Sequence, residues 1–428
     1  MWLVSNSGAL RSFKHRNFRI LYPASVVSNI GTWAQRVAQD WLVLELTNNS
    51  AADLGIVTGL QFLPTIFLSI WGGALADRFS KRKLLIITAA GGAFTSALLG
   101  ALVISKSAVI WEVYVLALVF GVFSAIDAPI RTSFTSELVG KADLANAVSL
   151  NSANFNLGRL VGPALSGFLI FLFGTGWSFL INALSYIFVI VSLRLIRHDE
   201  LHITQKPNRA ASIKDGFKYV RENLQVRLVM VTVFFSATFG LNFQIFNALM
   251  AKGEFHLGPQ EFGGAGSVLA IGSLSAAIIG TRLENSRVPK RIMLGAMIFG
   301  LLVATLSFAQ SYLQYLLILP FAGAVALTTF IFANSYVQTT TPSPLRGRVM
   351  GIYLLIFMGG TPLGSPLIGW AASSFGIRPT IFICGLITTT AAVIVFTRLR
   401  KLIGRQSQSN AEHDAGNDDV ENPPEHRF

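Results

Sequence analysis

Residues Trp71–Lys83 read WGGALADRFSKRK. An apolar run ends in small residues, then one acid, Asp77, then four cations: Arg78, Lys81, Arg82 and Lys83. Small residues let helices approach closely, and a basic cluster at the end of an apolar run marks the side of a bilayer on which cations stay. The stretch reads as the end of a membrane span turning into a short basic loop. Asp77 is placed to accept hydrogen bonds from the N-terminus of a neighbouring helix, with the cations holding the loop at the interface. Such a loop would act as a latch on a gate rather than as a substrate site.

The rest of the chain supplies the setting. Of 428 residues, 52% are hydrophobic and 13% charged, about half the charged share of a soluble protein. Apolar runs cover about 20–45, 54–75, 84–104, 109–130, 146–173 and 176–194. A second set covers about 226–248, 262–281, 291–309, 312–334, 347–373 and 378–397. Each can cross about 30 Å of hydrocarbon as a helix. The runs are too long, and too uniformly apolar, for barrel strands. An all-α integral membrane fold follows, with twelve transmembrane helices in two six-helix lobes.

The expected organisation is a basic cytoplasmic arm over 1–19, a lobe over 20–194, a linker over 195–225, a second lobe over 226–397 and a disordered acidic tail over 398–428. In the linker, Ile213, Phe217, Val220 and Leu224 recur at helical spacing, which predicts an amphipathic helix at the membrane surface. The tail has many acids and no apolar period.

Net charge is +13. Lys and Arg crowd the N-terminal arm, the linker and the loops after even-numbered spans, whereas the opposite loops offer only Lys106, Lys252 and Arg378. That asymmetry puts both termini in the cytoplasm and makes the basic charge a topology signal, not a nucleic-acid footprint. The first residues lack the order of a secretory signal. The single cysteine, Cys384, excludes an internal disulfide, and no metal-ligand set is spaced along the chain. No phosphate-binding loop and no nucleophile–base arrangement is evident, so the chain reads as neither an ATPase nor another enzyme. The expected partners are a small-molecule substrate and the lipid bilayer, and the chain is expected to act as a monomer.

The halves echo each other. Residues 158–167 read GRLVGPALSG and 360–369 read GTPLGSPLIG, with glycines at the first, fifth and tenth places. Two parallel repeats about an axis along the membrane normal would give this pattern. Gly158, Gly162, Pro163 and Gly167 are accordingly candidates for a hinge and close helix packing.

Charged residues inside spans are costly and mark function or pairing. Arg36 and Asp40, four apart, share a helix face. They are either a fixed ion pair or a proton switch in which Arg36 tunes Asp40. Arg159 needs an acceptor, with Asp127 or the Arg36–Asp40 pair as candidates. Asp127 and Arg131 read as an interfacial pair or inner-gate contact. Trp33, Phe155, Phe239 and Asn242 are candidates for a substrate cavity.

Gly73, Asp77, Arg78 and Arg82 have the spacing of the loop signature of the major facilitator superfamily, which the chain resembles over residues 15–400. The corresponding loop of the second half, GTRLENSRVPKR at Gly280–Arg291, departs from that signature, which puts a symmetric pair of latches in doubt. SNIGTWAQRVAQDWLVLELT at Ser28–Thr47 and LGRLVGPALSG at Leu157–Gly167 look like the branch of bacterial macrolide-efflux and enterobactin-exporter proteins. The resemblance implies alternating access in a bacterial inner membrane and proton-coupled export of a small amphipathic compound, a drug or siderophore. It also implies no cofactor beyond the coupling proton, and associates the Gly-Pro segment at Gly162–Pro163 with exporters. A solute importer, and a non-transporting receptor on the same scaffold, are the alternatives.

Overall fold

The computed structural model describes residues 8–202, 213–280 and 288–421, and every regular element among them is helical. A short 3-10 turn, Gly8–Lys14, leads into α1 (Arg16–Leu46), α2 (Ala51–Arg78) and α3 (Lys81–Ile104). Helix α4 (Ile110–Phe173) holds two passes joined at Gly140, whose φ of 67° breaks the helix where a side chain is disfavoured. Helix α5 (Thr175–Arg194) completes the first lobe, and α6 (Ile213–Glu222) is the linker helix.

The second lobe opens with a broken pass. It consists of α7 (Leu224–Phe235), a π-helical turn (Ser236–Gly240), α8 (Phe243–Ala248) and a second π-helical turn (Leu249–Glu254). The sequence reading has one continuous helix ending near 248. Two local features account for the break: Asn242 donates its side-chain amide to the Thr238 carbonyl at 2.7 Å, and Gly240 is pressed against the Phe299 ring. Helices α9 (Pro259–Gly280), α10 (Pro289–Leu306), α11 (Tyr312–Thr340), α12 (Ser343–Phe375) and α13 (Ile377–Glu421) follow.

Among the described residues nine helical segments are long and apolar enough to cross a bilayer. Helix α4 crosses twice, and α1 and α9 complete the bundle, giving six passes before α6 and six after it. The outer surface is apolar, with Phe67, Trp71, Phe94, Trp111, Phe321 and Trp370 all exposed, as lipid requires.

One boundary differs from the sequence reading. Helix α13 runs to Glu421, through residues assigned to a disordered tail. The linker helix α6 is tied to α12 as well as being amphipathic. Asp215 pairs with Arg348 at 2.8 Å, Tyr219 donates to the Thr340 carbonyl, and a Cβ on Gly216 would lie 2.9 Å from the Arg348 side chain. Phe217 is left exposed.

The internal repeat is visible as equivalent contacts. A Cβ on Gly158 or Gly162 would strike Trp33 of α1, the first helix of its own lobe; one on Gly360 or Gly364 would strike Thr238, at the same place in the second lobe. A Cβ on Gly167 would lie 2.5 Å from the Pro259 carbonyl of α9, and one on Gly369 2.5 Å from the Ala51 carbonyl of α2. Each repeat therefore binds its own lobe with two glycines and crosses to the other lobe with the third. The two lobes are pseudo-symmetric.

Candidate functional site

Where the lobes touch decides what the molecule is doing. One face of the bundle carries the N-terminal arm, the Gly140 turn and the linker; we call it the basic face. Contacts between lobes gather in the opposite half. There Gly55 meets Ser365 and Gly369, Gly59 meets Pro366, and Gly263 meets the Pro163 carbonyl. Ala52 donates its backbone N–H to Ser373, and Ser267 donates to the Leu160 carbonyl. Trp41 of α1, itself bonded to Glu45 at 2.7 Å, stacks on Phe262 of α9 and lies under the Lys252 ammonium at 4.5 Å. Toward the basic face the contacts stop: a Cβ on Gly347 or Gly351 of α12 would meet nothing within 4 Å.

The gap is a cavity of about 810 Å³, within the range of sites for drug-sized ligands. Its wall is mostly first lobe, with Leu327 and Ile331 of α11 facing it from the second. Helix α1 contributes Phe18, Leu21, Tyr22, Ser25, Asn29, Thr32 and Arg36, one stripe at helical spacing. Arg159 and Phe155 enter from the second pass of α4, Asp127 and Arg131 from the first.

Arg36 and Asp40 do not pair. The Arg36 guanidinium lies over the Trp33 ring at 4.7 Å and the Phe62 ring at 5.0 Å, and its Nε is buried without a hydrogen-bond partner. Asp40 lies one turn, about 6 Å, further along α1. It is fully buried, does not line the cavity, and neither carboxylate oxygen has a hydrogen-bond partner. Gln244 of α8 faces it from the other lobe without closing a hydrogen bond; its amide nitrogen is also unpartnered. Gln39 and Gln61 add more buried, unpartnered polar atoms. Such atoms are expensive in a bilayer.

Arg159 engages neither acceptor expected of it. It lies 5.8 Å from the Trp33 ring centroid and makes no ion pair among the described residues. Asp127 is already held: Arg131 grips it with two nitrogens at 2.7 and 3.0 Å, and Thr88 donates at 2.8 Å. This pair stays within one helix and lines the cavity, so it does not bridge the lobes here. Arg82 donates to the Arg194 carbonyl at the end of α5, also within one lobe, and Arg78 is exposed. The surroundings of Gly73, the side chain of Asp77 and loop residues 281–287 lie outside what the structure describes.

Of the four cavity candidates, Phe155 lines the cavity. Trp33 sits behind it, edge-on to Phe155 at 5.6 Å and beneath both arginines. Phe239 and Asn242 do not line it: Phe239 stacks on Phe235, and Asn242 accepts from Ser365. The π-helical turn re-aims that segment, which a regular helical period cannot anticipate.

One cluster escaped the sequence reading. Asp143, just past the Gly140 turn, is buried under the N-terminal arm, with Lys14 Nζ at 2.7 Å, His15 Nε2 at 2.8 Å and Arg11 Nε at 3.5 Å. The hydrogen bonds from Lys14 and His15 hold its carboxyl down at about 2. A lowered folded value means that the contribution is complete above the ordinary carboxylate range, near 3.9, and is lost as pH falls toward the folded value. Limited proteolysis of the arm is therefore expected to be slow at neutral pH and to speed up in acid. In Asp143→Asn it is expected to be fast at neutral pH as well. Equal protection in both proteins at neutral pH would remove Asp143 as the anchor.

Over residues 7–423 the chain matches the family model described as a transmembrane secretion effector, MFS_3. The chain belongs to this family. It is a secondary transporter of the major facilitator superfamily, a transport architecture and not a catalytic one, and a bacterial multi-pass inner-membrane protein that moves a small molecule across the bilayer. Over 395 residues, 92% of this chain and 98% of the relative, it is 27% identical to the staphyloferrin A transporter of Staphylococcus aureus. It is 28% identical to the multidrug efflux pump Tap of Mycolicibacterium fortuitum, covering 89% and 95% of the two chains. In fold it matches a bacterial homolog of the human lysosomal transporter Spinster, crystallised inward-facing and unoccupied. The TM-score is 0.74 at 14% identity, over 91% of this chain and 98% of that one.

Proposed function

We propose that the transporter is a proton-coupled exporter of a small amphipathic compound, such as a drug or siderophore, with the basic face in the cytoplasm. The Lys and Arg asymmetry supports that orientation. With it, the described state is inward-open: the substrate enters from the cytoplasm into the cavity beside Trp33 and Phe155. Rocking of the lobes parts the Trp41–Phe262–Lys252 gate and closes the basic face. Arg78, Arg82 and the Asp77 loop serve as the latch of that second state.

The observation that carries the coupling is Asp40, a fully buried carboxylate with unpartnered oxygens at the seam between lobes. A bare buried charge is costly, so Asp40 crosses between states in its neutral form. It takes a proton from outside when the seam opens and gives it to water entering from the cavity, on the cytoplasmic side, before the next opening. Similarity to a multidrug efflux pump and to the enterobactin exporter of Shigella flexneri, 22% identical, favours export over import. A receptor that transports nothing has no use for this row of orphaned polar atoms.

Purified protein in liposomes, with an internal pH dye and a panel of diverse amphiphiles, tests the proposal. Proton movement opposite to substrate movement is expected. Substrate transport with no proton flux would sink the coupling, and co-movement of the two would make the protein an importer or symporter.

A further inference from the structure

The cavity carries two cations that no acid among the described residues pairs with. Arg36 and Arg159 both line it, both lie against the Trp33 ring, and neither makes an ion pair among the described residues. Asp127, the acid that lines the cavity, is consumed by Arg131 and Thr88. Asp40 is shut off from it. The sequence alone left anionic and cationic substrates equally open, because Arg36, Asp40 and Arg159 all fall inside spans. The structure separates them: the arginines face the space, and the acid faces the seam.

Two like charges close to one aromatic ring, in a space walled by Phe18, Leu21 and Phe155, repel each other with little to screen them. Guanidinium groups bind carboxylates through paired, charge-assisted hydrogen bonds, and are strongest where water is thin. Asn29 and Asn154, bonded to each other at the same wall, add neutral polar groups but no charge.

We infer that the substrate is an anionic amphiphile with an aromatic or otherwise apolar body and at least two acidic groups. One acid engages Arg36 and another Arg159, while the body lies against Phe155 and the Trp33 edge. This rests on the exporter reading for its direction of movement, but the binding site does not depend on that reading.

The test uses the full-length protein in detergent, with phthalate, its monomethyl ester and its dimethyl ester as probes, and binding followed by tryptophan fluorescence. The expected order is diacid, then monoester, then diester, with about tenfold or more lost per acid removed. Arg159→Gln is expected to bring the diacid down to the monoester, and Arg159→Lys to recover part of the difference. A thermal-melting check confirms that each variant is folded. Equal affinity for the three probes, no saturable binding of any at millimolar concentration, or an unchanged preference in a folded Arg159→Gln overturns the inference. Diacid binding without transport or proton flux in liposomes would support the site and overturn the exporter reading. Transport of neutral or cationic amphiphiles alone, unaffected by Arg159→Gln, would do the reverse.

Discussion

Asp40→Asn is expected to abolish uphill transport while leaving the protein folded and able to exchange substrate downhill. The isosteric amide removes the titrating group and adds no bulk to a site that is already fully buried. Its own polar atoms face Gln244, as those of the acid do. A one-unit pH gradient is worth about 1.4 kcal/mol per proton, or a factor of about ten in substrate accumulation. A potential of about 100 mV adds about 2.3 kcal/mol for each net charge moved. Loss of a single coupled proton therefore costs ten- to several-hundred-fold in accumulation ratio. Paired vesicle measurements of driven accumulation and of counterflow read the two halves of this prediction separately. Full accumulation in Asp40→Asn would assign the coupling to another group.

The second large effect concerns the seal on the far half of the bundle. Gly167→Ala and Gly369→Ala each place a methyl group 2.5 Å from a backbone carbonyl of the opposite lobe, Pro259 and Ala51 respectively. A carbonyl on a packed helix cannot rotate aside as a side chain can. Overpacking of this kind costs about 1–3 kcal/mol. Within its own helix alanine is favoured over glycine by about 1 kcal/mol, so the lobes themselves hold. The penalty falls on the state in which the far half is closed, and the population shifts toward its opening by about 5- to 150-fold. A reporter cysteine at Ser365, which is fully buried where Gly55 of the other lobe meets it, is expected to react with an impermeant thiol reagent in these variants and to be protected in the parent. Cys384 is the only native cysteine and is buried, so background labelling is low. Unchanged protection in the double variant would show that the seal yields without opening.

Particular residues show how far the sequence carries. The stretch at Trp71–Lys83 and the recurring apolar runs were enough for an all-α membrane fold in two lobes. The GRLVGPALSG and GTPLGSPLIG repeats were enough for pseudo-symmetry, because close helix approach demands glycine and glycine can be read directly. Arg36, Asp40 and Arg159 were legible as exceptional, since each is a charge inside an apolar span. Their pairing was not legible. The reading offered an Arg36–Asp40 ion pair and an acceptor for Arg159; the structure has neither, because Trp33 and Phe62 hold Arg36 and because Asp127 is occupied by Arg131. Trp41 falls in the same apolar run as Trp33, yet it is buried against Phe262 and Lys252 as part of the closed gate. Asp143 carried no signal in the sequence, because its cation partners reach it from an arm 128 or more residues away.

The sequence by itself determined what depends on near neighbours along the chain: hydropathy over a helix length, the sidedness of cations, the places where only glycine fits. These are local because a membrane helix satisfies its backbone within itself. Tertiary structure alone decided which half of the bundle is closed, which charges face the cavity and which the seam, and which acid lacks a counter-charge. Those depend on the tilt between lobes and on side chains that meet across a hundred residues or more, where sequence spacing carries no distance.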